Sequence, residues 1–340
     1  MNELQSLLAD LAAYRAAQYN LDLPSLRNLA PRLFAEDAAV QLAHPIGTVD
    51  PTALVESVYP ALYRAVPDLE RRDTIVMTGT TAEGAIWQGC CGYYTGTFSQ
   101  PWLEIPPTGH FVSLRFHEFY RLAEGRVREV QAIWDIPELM MQADVGPLSP
   151  SLGREWHVPA PASQDGLLRP AATESESAAS LQLVGNMCAA LGQYATGGLA
   201  AMQLDRYWHP RCSWYGPSAI GSARGIAGFR NWHQIPFLNG MPDRVGSAGG
   251  GGHLFADGPY VGFTAWPGMH MSLSGDGWLG LPPANQRITM RSLDFWRCEN
   301  GRIRENWVLI DLLDVYHQLG VDVLARMREM SKARRGALDP

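Results

Sequence analysis

The sequence predicts an α+β protein that consists of two tandem copies of one cone-shaped, barrel-like unit. A shift of 176 residues places Trp102–Val145 on Trp278–Val321 without a gap, and 14 of those 44 positions are identical. Composition alone would give about three matches. Within each copy, helical patterns come first and strand patterns follow, which is typical of α+β folds. We therefore expect each unit to be a curved antiparallel sheet wrapped around its N-terminal helices.

The predicted elements follow the same order in both copies. Apolar residues recur at helical spacing from Glu3 to Tyr19 and from Leu181 to Leu204, and shorter helices are expected near 26–34 and 226–238. After a Pro-Asp pair in each copy, the pattern changes to short β-branched and aromatic runs separated by turn residues. In the first copy these runs are IVMTG, AIWQGCCGYYTGTF, HFVSLRFHEFYRL and RVREVQAIWD.

A segment rich in proline, serine and alanine separates the copies. We expect domain 1 at residues 1–146, the linker at 147–178, domain 2 at 179–330 and a tail at 331–340. Trp156 and His157 lie inside the linker, so part of it is expected to pack across a domain face. The glycine run Gly246–Gly252 lacks the lysine and the strand-helix context of a phosphate-binding loop and reads as a mobile loop.

The composition excludes several classes of partner. The net charge is −7, which argues against nucleic acid, and the sequence contains no run of eighteen apolar residues that would cross a membrane. The N-terminus lacks the pattern of a secretory signal, and the five cysteines form no CxxC pair, so a reducing, cytoplasmic location is expected. There is no HExxH motif and no histidine pair with helix-face spacing, so no metal or other cofactor is expected.

Several short motifs occur in a characteristic order: DLPSLRNL, HPIG, AVPDLE, IPPTGH, FYRLAEGRVREVQAIWD and ELMMQ. In this respect the chain resembles the SnoaL-like polyketide cyclases, which belong to the nuclear transport factor 2-like superfamily. The resemblance covers nearly all of the first copy and, more loosely, Leu181–Val321 of the second. It implies the cone-shaped fold, but that superfamily includes cyclases, isomerases, dehydratases, lyases and binding proteins, so the fold alone does not name the reaction.

Asp135 and Asp311 are the first candidates for catalysis. Each lies ten residues after the glycine of a strand-turn signal, where the cyclase pattern has its acid/base aspartate. A carboxylate among apolar neighbours has a raised pKa and can exchange protons near neutral pH. The alternative is that both aspartates cap the helices that follow them.

The resemblance implies three more catalytic candidates. His44 occupies the place of the proton-abstracting aspartate of ketosteroid isomerases, and imidazole can act as a base at pH 7; the second copy has Ser218 there. Glu118 and Asp294 match the acidic member of the isomerase oxyanion hole, where a neutral carboxylic acid donates a hydrogen bond to an enolate. The alternative for His44 is a loop histidine bonded to the backbone.

The second copy is rich in tryptophan and histidine, which suits a flat ligand with polar edges. His253 and His270 flank the strand pattern YVGFTAW, so one or both are expected to face a pocket, unless they are ordinary core or surface histidines. The full set of expected substrate-binding residues is Trp87, Trp214, Tyr215, His253, His270 and Trp307.

The expected function is cofactor-independent acid/base catalysis on a small cyclic or aromatic molecule through an enol or enolate. A cyclase, an isomerase, a dehydratase or another lyase would all need a proton acceptor and an oxyanion stabiliser. The alternative is a non-catalytic protein of the same fold that binds a small molecule or serves as a scaffold. The chain is expected to be a homodimer, or a monomer whose two domains mimic one.

Overall fold

The structure is a computed structural model that describes residues 2–246 and 252–336. Residues 247–251 of the predicted glycine loop and residues 337–340 of the predicted tail lie outside the described residues. No helix within these ranges has both the length and the apolar character needed to cross a bilayer.

Domain 1 begins with two helices and continues with a six-stranded sheet. Its helices are α1 (Glu3–Tyr19), α2 (Leu23–Leu33), α3 (Pro51–Ala53), a π-helical turn (Leu54–Val58), α4 (Tyr59–Ala65) and α5 (Ile136–Gln142). Its strands are β1 (Phe34–Leu42), β2 (Thr48–Val49), β3 (Glu70–Thr80), β4 (Ile86–Thr97), β5 (Phe111–Ala123) and β6 (Arg126–Trp134).

Domain 2 repeats this arrangement. Its helices are α6 (Glu174–Leu191), α7 (Tyr194–Ala201), α8 (Leu204–Tyr207), α9 (Gly225–Phe229), a π-helical turn (Arg230–Gln234), α10 (Ile235–Gly240), α11 (Leu312–Gln318) and α12 (Val323–Gly336). Its strands are β7 (Trp208–Tyr215), β8 (Ser222–Arg224), β9 (Val245–Gly246), β10 (Gly252–Asp257), β11 (Tyr260–Ser272), β12 (Arg287–Glu299) and β13 (Arg302–Ile310).

The two sheets have the same strand order. It is β2-β1-β6-β5-β4-β3 in domain 1 and β8-β7-β13-β12-β11-β10 in domain 2, with β9 paired to β11. Each sheet contains one parallel pair, β1 with β6 and β7 with β13, so the sheets are mixed, whereas the strand pattern predicted antiparallel sheets throughout. Both sheets keep free edge strands and are curved, open sheets instead of closed barrels.

The leading helix of domain 1 shows how local sequence fixes an element. Asn2 and Gln5 form a reciprocal capping box, in which each side chain accepts the other residue's backbone N–H. Leu7, Leu11 and Tyr14 recur at three and four residues and are buried. This face packs into the core that the concave side of the sheet encloses.

The outer faces of the two sheets pack against each other. Phe119 stacks on Phe295 with ring centroids 4.8 Å apart, and these residues are 176 positions apart in sequence. The ring Nδ1 of His117 lies 2.8 Å from the carbonyl of Leu293, which is again its own repeat equivalent. Equivalent residues can meet in this way only near a two-fold axis, so the domains are related as the subunits of a symmetric dimer are.

The linker packs against the outer faces of both sheets, beside the contact between them, as the position of Trp156 and His157 predicted. The His157 ring stacks on Tyr93 at 4.1 Å, and the indole N–H of Trp307 donates to the carbonyl of Pro159 at 3.0 Å. Trp156 itself stays half exposed. The linker therefore covers part of both sheets.

Candidate functional site

The concave side of the domain 2 sheet encloses a cavity of about 380 Å³. Its walls come from α6, α9, the π-helical turn, α10 and the inner faces of β7, β9, β10, β11, β12 and β13. The polar and aromatic lining residues are Cys188, Trp208, Trp214, Phe229, His233, Gln234, Phe237, Arg244, Phe263, Ser292, Asp294, Trp296 and Asn306. We call this space the domain 2 cavity.

Asp294 is the buried carboxyl of the domain 2 cavity. It lies in the middle of β12, and the hydroxyl of Ser292 donates to its Oδ2 at 2.6 Å. Burial raises the pKa of Asp294 to about 7, although Ser292 and the neighbouring Asn306 favour the ionised form. A carboxyl group with this pKa can both accept and release a proton at neutral pH.

Three buried donors on residues that line the same cavity have no hydrogen-bond partner among the described residues. They are the indole N–H groups of Trp208 and Trp296 and the Nε–H of Arg244. An indole nitrogen can only donate, and a buried donor without an acceptor is destabilising by about 1–3 kcal/mol. The residues that line the domain 2 cavity therefore carry more donors than the described protein acceptors satisfy.

His233 adds a neutral imidazole to this wall. Its ring stacks on Trp214 at 4.0 Å and on Phe237 at 5.5 Å, and its Nδ1 is buried without a partner. Burial and the nearby Arg244 lower the pKa of His233 to about 3, so the ring is neutral at pH 7. His233 also lines a neighbouring cleft of about 680 Å³ and so forms part of the wall between the two spaces.

The matching carboxyl of domain 1 is saturated with partners. Glu118 accepts hydrogen bonds from Arg71 (2.6 Å), Tyr94 (2.9 Å), Tyr120 (2.6 Å) and Trp134 (2.9 Å). Burial by itself would raise the pKa of this carboxyl, but Arg71 and the hydrogen bonds outweigh burial and hold the pKa below its usual value. Glu118 is therefore an ionised member of a structural network.

Two of these four partners are lost in domain 2 by direct substitution. The 176-residue shift holds along both ladders, because Glu118 pairs with Ala132 and Asp294 pairs with Val308. At that shift, Trp296 replaces Tyr120 and Ile310 replaces Trp134. Neither replacement donates to Asp294.

The other two partners are lost through the edge strand. Arg71 lies opposite Tyr94 in the β3–β4 ladder, and Gly246 lies opposite Met269 in the β9–β11 ladder. The two pairs are equivalent by position in the sheets. The β4 member of one pair lies opposite a residue of β5, the β11 member of the other lies opposite a residue of β12, and these two opposite residues are 176 positions apart in sequence. A glycine and a methionine thus stand where domain 1 has a guanidinium and a phenol, which leaves room around Asp294 and leaves its charge unneutralised.

Asp135 and Asp311 lie between the domains, at the ends of β6 and β13. Asp135 accepts the backbone N–H of Ser218 at 2.8 Å and lies 3.4 Å from Arg115. Burial raises the pKa of Asp135. Their role as proton carriers stays a prediction, but neither residue lines the domain 2 cavity.

Asp311 has the equivalent contacts. It accepts the backbone N–H of His44 at 3.0 Å and forms an ion pair with Arg291 at 3.0 Å. Burial raises the pKa of Asp311 to about 6, against the opposing effects of the His44 bond and Arg291. Asp311 also caps α11 by accepting from Asp314, whereas Asp135 makes no such capping bond.

His44 sits in the same boundary. Its ring stacks on His317 of domain 2 at 4.5 Å, and burial together with His317 lowers its pKa. The backbone bond from His44 to Asp311 agrees with the alternative of a loop histidine held by main-chain contacts. The structure therefore brings His44 next to Asp311 and away from Asp294.

The six expected substrate-binding residues divide into three groups. Trp214 lines the domain 2 cavity. Trp87, Tyr215 and Trp307 belong to the apolar cluster between the sheets, and His253 joins it through a 4.8 Å ring contact with Trp87. His270 is exposed on β11.

Sequence reasoning missed Arg244, His233, Trp208 and Trp296 as members of the site. The abundance of tryptophan and histidine in the second copy was the available signal, but it did not separate the cavity wall from the core. Within the described ranges, no group of three or more His, Cys, Asp or Glu side chains is placed to hold a metal ion.

Comparison with known proteins places the chain in a family. The sequence profile of the SnoaL-like polyketide cyclases matches residues 27–143 and 199–319, that is, both domains. The chain belongs to the SnoaL-like polyketide cyclase family. No curated protein matches it at the threshold applied.

Solved structures similar to this SnoaL-like chain each match a stretch about as long as one domain. AclR from Streptomyces galilaeus is 18% identical, with 41% of this chain and 85% of AclR covered and a TM-score of 0.34. IdmH from Streptomyces antibioticus is 20% identical, with coverages of 41% and 98% and a TM-score of 0.33. A SnoaL-like polyketide cyclase from Agrobacterium tumefaciens is 16% identical, with coverages of 40% and 96% and a TM-score of 0.31.

Proposed function

We propose that this protein is a cofactor-independent acid/base enzyme and that its chemistry takes place in the domain 2 cavity. The substrate would be a small cyclic or aromatic molecule with an acidic C–H beside a carbonyl group. The observation that carries the proposal is the buried Asp294, whose pKa of about 7 coincides with a wall of unpartnered donors. Membership of the SnoaL-like family supports the same class of activity.

The proposed step is an enolisation. The ionised Asp294 accepts the proton as the C–H bond breaks, and the electron pair moves onto the carbonyl oxygen. The indole N–H of Trp296, which lies two residues from Asp294 on the same face of β12, would donate to that oxygen, since a fixed donor in a dry site stabilises a developing oxyanion strongly. Asp294 then returns the proton to carbon.

The same enolate leads to several products. Attack of its carbon on a second carbonyl would close a ring, protonation at another carbon would isomerise the substrate, and loss of a leaving group would make the reaction a lyase reaction. We assign the protein to this group of cyclase, isomerase, dehydratase and lyase reactions. Domain 1 would act as a structural support, because its Glu118 is already neutralised by Arg71.

The test is hydrogen–deuterium exchange of 2-tetralone in D₂O, followed by NMR. This bicyclic ketone has an acidic C–H beside its carbonyl and needs no further reactant. We expect enzyme-dependent exchange above the buffer rate in the wild type, its loss in Asp294→Asn, and its retention in a control, Asp205→Asn, which changes an exposed aspartate of the same domain.

The rival function is non-catalytic binding in the same cavity. It predicts that 2-tetralone binds without exchange and that Asp294→Asn leaves its affinity unchanged. Exchange at the buffer rate with bound ketone, or equal exchange in wild type and Asp294→Asn, would reject the proposed catalytic role.

A further inference from the structure

Arg244 is a partly buried cation that forms no ion pair in the part of the chain that the structure describes. It lies immediately before β9, and its contacts are the carbonyl of Leu191 at 3.2 Å and the sulfur of Met269 at 3.8 Å. Its guanidinium lies 5.7 Å from the ring centroid of Phe237. Its Nε–H is buried and unpartnered.

The contrast with the domain 1 cation is direct. Arg71 contacts Glu118 at 2.6 Å and Asp73 at 3.0 Å, so its charge is neutralised inside the protein. Arg244 lines the same cavity as Asp294, but within the described ranges no carboxylate lies within 4.0 Å of its nitrogens. Residues 247–251, which follow it in sequence, contain no acid.

A buried charge is strongly destabilising unless it is paired. A guanidinium with a free Nε–H presents the edge that binds a carboxylate through two parallel hydrogen bonds. The surrounding wall is aromatic, with Trp214 and Phe237 on either side of the His233 ring. A ligand that satisfies both features is a planar ring with a carboxylate on its edge.

We propose that Arg244 is an anion-binding residue of the domain 2 cavity and that the ligand of this cavity is an aromatic carboxylate. Arg244 then sets specificity by charge, and the aromatic wall contacts the ring. This inference rests on the proposed function only in placing the ligand in the same cavity, because it concerns binding and does not require Asp294 to transfer a proton.

The experiment compares 2-naphthoate with its neutral isostere 2-naphthamide by isothermal titration calorimetry at pH 8. The proteins are the wild type, Arg244→Gln, and the control Arg211→Gln, which alters an exposed arginine on β7. We expect the wild type and the control to bind 2-naphthoate at least about 10-fold more tightly than the amide, the range of a charge-assisted hydrogen bond. In Arg244→Gln the two affinities should become equal, through loss of 2-naphthoate binding alone.

A purely structural role is separated by a second variant and by stability. Arg244→Lys keeps the charge without the planar fork and should keep part of the preference. Arg244→Gln should melt no lower than the wild type, because it removes an unpaired and partly buried charge. Equal affinities in the wild type, binding of neither probe, or an unchanged preference in Arg244→Gln would each overturn the proposal.

The outcome is distinguishable from that of the 2-tetralone test. A carboxylate preference that depends on Arg244, together with exchange that does not depend on Asp294, would keep the binding site and remove the enzyme. Exchange that depends on Asp294, without a carboxylate preference, would keep the enzyme and remove the proposed carboxylate-binding site.

Discussion

Asp311 of domain 2 accepts a hydrogen bond from the backbone N–H of His44 in domain 1 at 3.0 Å. Asp135 accepts the reciprocal bond from Ser218 at 2.8 Å. His44 and Ser218 occupy matching loops of the repeat, so each domain receives the same loop of the other domain at the same carboxylate. The conserved geometry of these two bonds identifies the strand-end aspartates as interdomain contacts.

We predict that Asp311→Ala loosens this boundary. The change leaves the N–H groups of His44 and Asp314 without their acceptor and removes one of the two carboxylates that pair with Arg291, at about 1–3 kcal/mol. Urea unfolding at pH 6 would measure the loss. Asp311→Asn keeps one acceptor oxygen and should lose less, and its 2-tetralone exchange should equal that of the wild type. A folded Asp311→Asn protein without exchange would return the catalytic role to Asp311.

We predict that one chain is the whole assembly. The stacked Phe119 and Phe295 show that the sheet faces that would join two single-domain subunits are already occupied within the chain. Sedimentation equilibrium should therefore give the mass of a monomer over a wide concentration range. A stable mass of two chains would show that another surface forms a dimer.

We predict that Glu118→Gln destabilises the protein without abolishing exchange. The amide cannot neutralise Arg71, and removing one member of a buried ion pair is destabilising by about 3–5 kcal/mol; the pairing of Arg71 with Asp73 at 3.0 Å favours the lower end. Thermal and urea unfolding give the size of the effect.

A matched control for this prediction is Glu70→Gln, which alters a partly exposed carboxylate on the same domain and should change stability by less than about 0.5 kcal/mol. Loss of exchange in folded Glu118→Gln protein would mean that domain 1 takes part in the chemistry.

The sequence predicted the repeat and the order of elements, and its strand period of two puts Asp135 on one face of β6 with Ile133 and Gln131. It could not show which side of the sheet that face occupies. Both sides of each sheet are apolar, because helices cover one side and the other sheet covers the opposite side, and alternation identifies the interior only when one side is solvated. Ile133 thus lies in the cluster between the sheets.

The domain 2 cavity was harder to predict for a different reason. The cavity exists because Asp294 lacks the partners that Glu118 has. Two of those missing partners belong to strands where the offset between the two copies is no longer 176 residues. A bulge between Ala265 and Met269 shifts the register of β11, so the 176-residue count from Arg71 and Tyr94 misses Gly246 and Met269 by one position, and only an offset of 175 residues reaches them. Arg244 lies in the same shifted region.

We predict that Gly89→Ala forces the two sheets apart. A Cβ at Gly89 would lie 2.9 Å from a ring carbon of Phe119 and 2.9 Å from one of Phe295, closer than carbon atoms can pack. Overpacking of this kind is destabilising by about 1–3 kcal/mol. Unfolding in urea measures this loss of stability. Gly84→Ala is not a suitable control, because Gly84 has a positive φ of 84°.

A suitable control is Gly246→Ala, since a Cβ there meets no atom of the described residues within 4 Å and should change the free energy of unfolding little. If Gly89→Ala were equally well tolerated, the stacked phenylalanine pair would have to be free to separate.

The last prediction concerns pH and uses the opposite behaviour of the two repeat-related carboxyls. Because burial raises the folded-state pKa of Asp294 to about 7 from an ordinary 3.8, its favourable contribution is complete below about pH 4 and is lost as the pH rises through 7. Asp294→Asn should therefore be more stable than the wild type at pH 8.5 by a few kcal/mol, at about 1.4 kcal/mol per pKa unit, and nearly equal to it at pH 4. Urea unfolding at both pH values tests this, and wild-type exchange should rise with pH through the same range as the base form of Asp294 appears. A variant that was less stable at pH 8.5 would place a cation beside Asp294 and would remove the basis for its role as a base.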